Sequence, residues 1–191
     1  MLGSPIAHSL SPVLHTAGYA AAGLGEWDYT RIECTDAELP RVVGEAGPEF
    51  RGFSVTMPCK FAALEFADEV TARARAIGSA NTLVRAGDGW RADNTDCEGL
   101  QAALAELTRG EPVRRAVVVG AGGTARPALW ALRELGAEQV TVVNRSDRSA
   151  ELAPLTEGMD VRFADYSADL VTLTTEADAV ISTVPSAALG E

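Results

Sequence analysis

The sequence predicts an α/β protein of two domains, the second built on a doubly wound parallel sheet. Three observations carry that prediction. Strand-like runs alternate with helical ones throughout the first half. A continuous apolar run, AVVVG at 116–120, leads straight into GAGGTARPALWAL, a glycine turn opening a helix. Strand and helix signals then alternate to the end of the chain, the mark of a parallel sheet. At 191 residues and 47% hydrophobic composition the chain can bury a real core.

Taken in order, Ser11-Pro12 reads as N-cap and first helical residue of a helix running to about Leu24. WDYTRIE at 27–33 alternates apolar and polar residues like a strand. Asp36 can cap a short helix ending near Gly44–Gly47, and RGFSVT at 51–56 is the next strand. Helical segments follow to about Ile77. ANTLVRAGDGWRADN then reads as two strands joined by a GDG turn. EGLQAALAEL at 98–107 places Leu100, Ala103, Leu104 and Leu107 on one helix face. TRGEPVRR is polar, holds Gly110 and Pro112, and suits a linker. Beyond AVVVG come a helix to about Leu135, strand QVTVV at 139–143, another helix, a weak strand near 161–163 and strand DAVIST at 178–183. The expected division is a first domain over 1–98, a connecting helix and linker over 99–111, and a nucleotide-type domain over 112–191.

The net charge is −11. Such a surface repels nucleic acid and anionic membranes, so neither is an expected partner. No apolar run reaches the roughly 18 residues of a membrane helix, and MLGSPIAHS lacks the layout of a signal peptide. A soluble cytoplasmic protein is expected. Cys34, Cys59 and Cys97 form no CxxC, and the chain has two histidines, so no metal site is expected. The thiols read as buried and free in a reducing compartment.

Gly120, Gly122 and Ala125 match G-x-G-x-x-A, a weak pattern alone and a good one between strand and helix. The alternative is an ordinary glycine turn. In the dinucleotide reading Gly120 permits the tight turn, Gly122 lets a pyrophosphate approach, and Ala125 lets helix and strand pack closely. Amides of Gly120, Ala121, Gly122, Gly123 and Thr124 would face the phosphates at the helix start. At the end of the next strand an NAD site expects an acidic residue; this chain has Asn144-Arg145-Ser146. Arginine there can clamp a 2′-phosphate, with Arg148 adding charge, so NADP(H) is the expected cofactor. Asp147 lies past the strand end and is expected to cap the next helix.

Four polar clusters mark the first domain: SPIAHSLSP (4–12), VTMPCK (55–60), ANTL (80–83) and DNTD (93–96). Each falls at a predicted strand end or helix start, the sheet edge where ligands bind in open α/β folds. Ser9, Ser11, Thr56, Lys60, Asn81 and Asp96 could converge there on a small polyhydroxylated ligand. Taken singly, each reads first as a cap, a turn residue or a solvated side chain.

In this order SPIAHSLSP, VTMPCK, NTL, DNTD, GAGGTAR and NRS resemble shikimate dehydrogenase, the NADP-dependent enzyme of aromatic amino-acid and chorismate biosynthesis. The resemblance covers nearly the whole chain. It implies an oxidoreductase reducing 3-dehydroshikimate to shikimate with NADPH, as monomer or homodimer. It implies that Ser9 and Ser11 hold the substrate carboxylate and that Thr56, Asn81 and Asp96 bind its hydroxyls. It further implies that Lys60 is catalytic with Asp96 as partner, that 120–124 form the phosphate loop, and that 144–146 select NADP. Domain 1–98 would then bind substrate, and 112–191 would be a Rossmann-type NADP domain, C-terminally incomplete relative to the family. Ser54 stands where the family commonly has asparagine, and Cys97 where glycine is usual. The alternatives are an NAD-preferring quinate/shikimate dehydrogenase and a non-catalytic NADP-binding fragment.

Lys60 is the only lysine; every other basic side chain among the sixteen Lys plus Arg is arginine. Ketone reduction by hydride creates an alkoxide that must receive a proton. An ammonium can stabilise that charge and give up its proton, whereas a guanidinium cannot near neutral pH. A chain otherwise committed to arginine still needs lysine where a proton must move.

Overall fold

The structure, a computed structural model, describes residues 1–184, so expectations falling on 185–191 lie outside it. The chain divides into two compact units, Met1–Asn94 and Thr95–Glu191.

In the first unit, β1 (Leu2–Gly3) pairs in parallel with β2 (Ile32–Glu33), and Leu2 also bridges to Val55. A four-stranded sheet runs in the order β3-β5-β6-β4, with β3 (Gly52–Ser54), β4 (Glu69–Val70), β5 (Thr82–Ala86) and β6 (Gly89–Asp93). β5 and β6 form the expected antiparallel hairpin, and Gly87 supplies the positive φ of 58° its turn requires. The helices are α1 (Ser11–Ala21), α2 (Leu39–Gly44), α3 (Lys60–Phe66) and α4 (Ala72–Ile77). Leu2, Leu39, Val43, Phe53, Val55, Ala63, Leu83 and Trp90 are buried together as the core. Phe53 and Trp90 meet at a 5.3 Å centroid distance, and the Arg85 guanidinium lies 4.3 Å over the indole.

Three local expectations are corrected. The strand over 27–33 shrinks to Ile32–Glu33, because the ladder it joins, β1, is itself two residues long. Ser11 is the first residue of α1 and not its cap; the Ser9 hydroxyl oxygen accepts from the Ser11 N–H at 3.2 Å instead. Asp36 does not cap α2, whose N-cap is Glu38; Asp36 accepts from the neighbouring Ala37 N–H.

In the second unit, α5 (Asp96–Leu107) starts two residues before the predicted helix and packs on α6 (Ala125–Glu134), so it is part of this unit. Four strands, β7 (Arg115–Val119), β8 (Gln139–Val143), β9 (Asp160–Ala164) and β10 (Ala179–Ser182), form one all-parallel sheet in the order β10-β7-β8-β9. Read outward from β7 this is the 3-2-1-4 strand order of a mononucleotide-binding half. α7 (Ser149–Leu152) and α8 (Leu170–Thr175) complete the crossovers; Asp169 caps α8 by accepting from Thr172 N–H at 3.1 Å. Val118, Leu129, Leu132, Val140 and Val142 share the core with Leu152 and Leu155. Pro127 is the third residue of α6, where its missing N–H removes no helix bond. No helix of the described residues is long and apolar enough to cross a membrane.

Candidate active site

Gly3 explains why two of the polar clusters of the first unit meet. A Cβ on Gly3 would stand 2.4 Å from Thr56 Cγ2 and 2.9 Å from the Met57 carbonyl. Only glycine lets the chain entering SPIAHSLSP approach VTMPCK this closely. The contact is then hydrogen-bonded: Thr56 N–H donates to the Leu2 carbonyl at 2.9 Å and Ser4 N–H to the Met57 carbonyl at 3.0 Å. The X-Pro bonds of both clusters, Ser4-Pro5 and Met57-Pro58, are cis. Beyond this junction the Ser9 hydroxyl donates to the Ser11 hydroxyl at 3.2 Å, so the two serines form one small oxygen cluster, half-buried.

Lys60 opens α3 and is only 7% exposed. Cys59, which precedes it, is fully buried and donates its thiol to the Cys34 carbonyl at 3.1 Å. Burial pushes the Cys59 thiol up to about 12, so it stays protonated and inert at neutral pH. The Lys60 carbonyl accepts from Ala80 N–H at 2.9 Å, and Asn81 next in line spans two strands. Its N–H donates to the Asp93 carbonyl at 3.1 Å, and its carbonyl accepts from Val55 N–H at 2.7 Å. The Thr82 hydroxyl donates to Asn81 Oδ1 at 2.8 Å. Thr56, Lys60 and Asn81, read from two separate clusters, thus stand on one hydrogen-bonded frame.

Tyr29 was not singled out by the sequence. Its hydroxyl is buried beside Ser54 and Ser11. Burial raises its pKa. Neither serine reaches it with hydrogen-bond geometry, so the hydroxyl is a donor in want of an acceptor. His15, one turn after Ser11, stacks flat on the Tyr29 ring at 4.1 Å and fixes its plane. Tyr29 lies in a polar-apolar alternation that read only as strand, which is why no signal drew it out. A groove of about 870 Å³ is lined in part by Tyr29, Ser54 and Thr82, and Thr82 is the residue whose hydroxyl bonds Asn81.

In the second unit Asp96 is the first residue of α5, half-buried, at a helix start where a carboxylate is favoured. Gly120 has φ 104°, and a Cβ there would meet Thr183 Oγ1 at 2.4 Å. A Cβ on Gly122 would meet nothing within 4 Å, so open space borders the turn ahead of α6. Gly120 N–H donates to the Val143 carbonyl at 2.8 Å, which sets the glycine turn beside Asn144-Arg145-Ser146. Asn144 Nδ2 donates to the Ser146 carbonyl at 2.9 Å and folds that segment on itself, with Arg145 exposed. Asp147 does not hold the cap position expected of it, which falls on Arg148; it accepts from Ser149 N–H at 2.7 Å from one residue further out. Arg148 pairs with Glu151 at 3.0 Å, so part of its charge is already answered. Open backbone space, a helix start and an exposed arginine at the second strand end suit a dinucleotide phosphate.

A parallel 3-2-1-4 sheet carrying a glycine turn, on the same chain as a mixed-sheet unit with a buried lysine, defines a two-unit protein with a dinucleotide-binding fold. Residues 1–83 match the family described as shikimate dehydrogenase substrate binding domain, and residues 101–189 match shikimate / quinate 5-dehydrogenase. The crystal structure of Mycobacterium tuberculosis shikimate dehydrogenase superposes with a TM-score of 0.84 at 52% identity, covering 96% of this chain and 69% of that one. The Thermus thermophilus shikimate 5-dehydrogenase, solved with NADP(H) and shikimate, superposes with a TM-score of 0.79 at 32% identity, covering 96% and 66%. The NADP(+) shikimate dehydrogenase of Synechocystis is 37% identical over 147 residues, 76% of this chain and 50% of its own. The pentafunctional AROM polypeptide of Candida tropicalis is 38% identical over 147 residues, 76% of this chain and 9% of its own. The chain belongs to the shikimate dehydrogenase family, and it spans about a tenth of the AROM polypeptide and half of the Synechocystis enzyme.

Proposed function

We propose that the chain is the substrate-binding and nucleotide-binding part of an NADP-dependent shikimate dehydrogenase that interconverts 3-dehydroshikimate and shikimate. The observation that carries this reading is the sole lysine, 7% exposed, opening α3 and tied through its carbonyl to the loop that delivers Asn81. The unit of residues 1–94 supplies most of the substrate contacts, and that of residues 95–191 supplies Asp96 and the cofactor contacts. Ser9 and Ser11 hold the substrate carboxylate, with the Tyr29 hydroxyl as a further donor behind them. Thr56, Asn81 and Asp96 take the ring hydroxyls. Amides of residues 120–124 cradle the pyrophosphate, and Asn144, Arg145 and Ser146, with Arg148 at the edge, hold the 2′-phosphate.

NADPH, when bound, supplies the hydride. Lys60 as ammonium stabilises the alkoxide oxygen that develops on the substrate and gives it a proton; in the reverse direction neutral Lys60 takes the alcohol proton. Asp96 orients the ammonium and accepts a substrate hydroxyl. Three free, buried thiols fit a reducing, cytoplasmic compartment.

The test is a spectrophotometric assay of the chain with shikimate and quinate, each paired with NADP and NAD. Turnover of shikimate with NADP is expected. A preference for NAD or quinate would move the chain to the quinate/shikimate branch. Binding of NADP without turnover would leave a nucleotide-binding module.

A further inference from the structure

Asp93 ends β6 and has more donors than a surface carboxylate needs. Its oxygens accept from Arg73 Nε at 2.7 Å, Arg73 Nη2 at 2.6 Å, Thr71 Oγ1 at 2.7 Å and Asn94 N–H at 2.8 Å. The Arg73 pairing is a two-pronged fork, which fixes the carboxylate in direction as well as in place. Both side chains of the pair are less than a third exposed, at 29% and 22%. A pair this buried adds little stability over an apolar pair of the same shape; what it supplies is a defined geometry.

That geometry is passed on through backbone. The Asp93 carbonyl accepts from Asn81 N–H, so placing Asp93 places Asn81. Asn94, next along and fully buried, donates from Nδ2 to the Ser79 carbonyl at 2.9 Å and to the Ser79 hydroxyl at 3.2 Å. Between Ser79 and Asn81, Ala80 donates to the Lys60 carbonyl. The loop 79–81 is therefore held from β6 on one side and holds the first turn of α3 on the other. Thr71, whose hydroxyl accepts from Ala74 N–H to cap α4 at 3.3 Å, anchors the outer end of the chain of bonds.

We propose that Arg73, acting through Asp93, is a positioning residue that sets the placement of Asn81 and Lys60. The inference rests on the reading of those two residues as site residues, and it assigns the α4 start a part in turnover that its distance along the chain from the polar clusters hides.

The test compares the whole chain with Arg73→Lys, which keeps the charge without the fork, and Arg73→Met, which keeps the stem alone. Backbone amide shifts of Lys60, Ala80 and Asn81 report the frame with no substrate present. Arg73→Met is expected to move all three and to lower kcat for shikimate roughly 10- to 100-fold, the scale of a displaced catalytic group, with KM for NADP unchanged. Arg73→Lys should recover part of the loss in both readouts. Unchanged amides, or a lower melting temperature with kcat per folded molecule intact, would overturn the proposal. If Arg73→Met does not fold, the lysine variant alone decides by the same two readouts. If the wild-type chain turns over no shikimate, the functional reading fails, and the amide shifts still decide the positioning claim.

Discussion

The amide of Ala80 donates to the carbonyl of Lys60 at 2.9 Å. Twenty residues apart in sequence, the first turn of α3 and the loop before β5 are thereby one piece of backbone. A lysine on a free helix end would spend rotamer entropy each time it met a substrate. Here the stem is buried and the backbone from which it springs is fixed, so the ammonium is delivered at little further entropic cost.

If Lys60 moves the proton, its removal must cost rate rather than affinity. Lys60→Ala is expected to lower kcat by about 10²–10⁴ with a modest change in KM. Lys60→Arg is the sharper variant, since it keeps the charge and loses the exchangeable proton; it should be nearly as slow. Steady-state kinetics with shikimate and NADP check both, and a near-normal kcat in either would take lysine out of the chemistry.

How much of this was legible beforehand follows from where the determining forces lie. The parallel sheet was readable because AVVVG is a continuous apolar run, and only burial on both faces asks for that. Ser9, Thr56, Lys60 and Asn81 were readable as a set because each stands at an element end. The strand over 27–33 misled, because alternation reports a half-buried face and says nothing of whether a partner edge exists. Ser11 misled because a serine before proline satisfies the cap pattern, whereas Ser9, two residues earlier, makes the bond. Arg73 and Tyr29 gave no signal at all: one depends on a contact twenty residues away, the other on a hydroxyl brought beside Ser54 by folding.

The Asp93 carboxylate links acid stability to the same frame. The Arg73 hydrogen bonds hold its pKa down at about 2, against about 3.9 for an unperturbed aspartate. A depressed folded-state pKa contributes stability that is complete above the unfolded value and is lost as pH falls through the folded one. The contribution is on the order of 2 kcal/mol and should fade between roughly pH 4 and pH 2. Urea unfolding of wild type and Asp93→Asn is expected to differ clearly at pH 6 and to converge as the pH approaches 2. A gap that does not depend on pH would mean the carboxylate's charge is not what stabilises the fold.

Gly120 tests the nucleotide unit without any ligand. At φ 104° a side chain is strained, and its Cβ would lie 2.4 Å from Thr183 Oγ1. Gly120→Ala should therefore destabilise the unit by about 1–3 kcal/mol and weaken nucleotide binding together. Gly122→Ala meets open space, so its fold should be nearly unaffected while a bound phosphate would lose the close approach. Thermal unfolding alongside NADP titration separates the two. Equal stability losses in both variants would show that the two glycines do not have these different roles.

In the proposed NADP site, Arg145 is the residue that selects the cofactor. It is exposed at the end of β8, on a segment folded by the Asn144–Ser146 bond, and the Gly120–Val143 bond sets that segment beside the glycine turn. A guanidinium here can fork onto a 2′-phosphate, whereas a carboxylate would repel that phosphate and accept a ribose hydroxyl. The net charge of −11 makes the local cation matter more, since the rest of the surface repels a phosphorylated ligand. Arg145→Asp is expected to weaken NADPH by about 10- to 100-fold, the loss of a charge-assisted pair, and to leave NADH nearly unchanged or slightly better bound. Raising the salt concentration should weaken NADPH binding to the wild type more than to the variant, because only the wild type relies on the exposed charge pair. Fluorescence titration with both cofactors measures this directly. Equal losses for NADPH and NADH would mean that Arg145 does not read the 2′-phosphate, and selection would then have to come from Ser146 or Arg148.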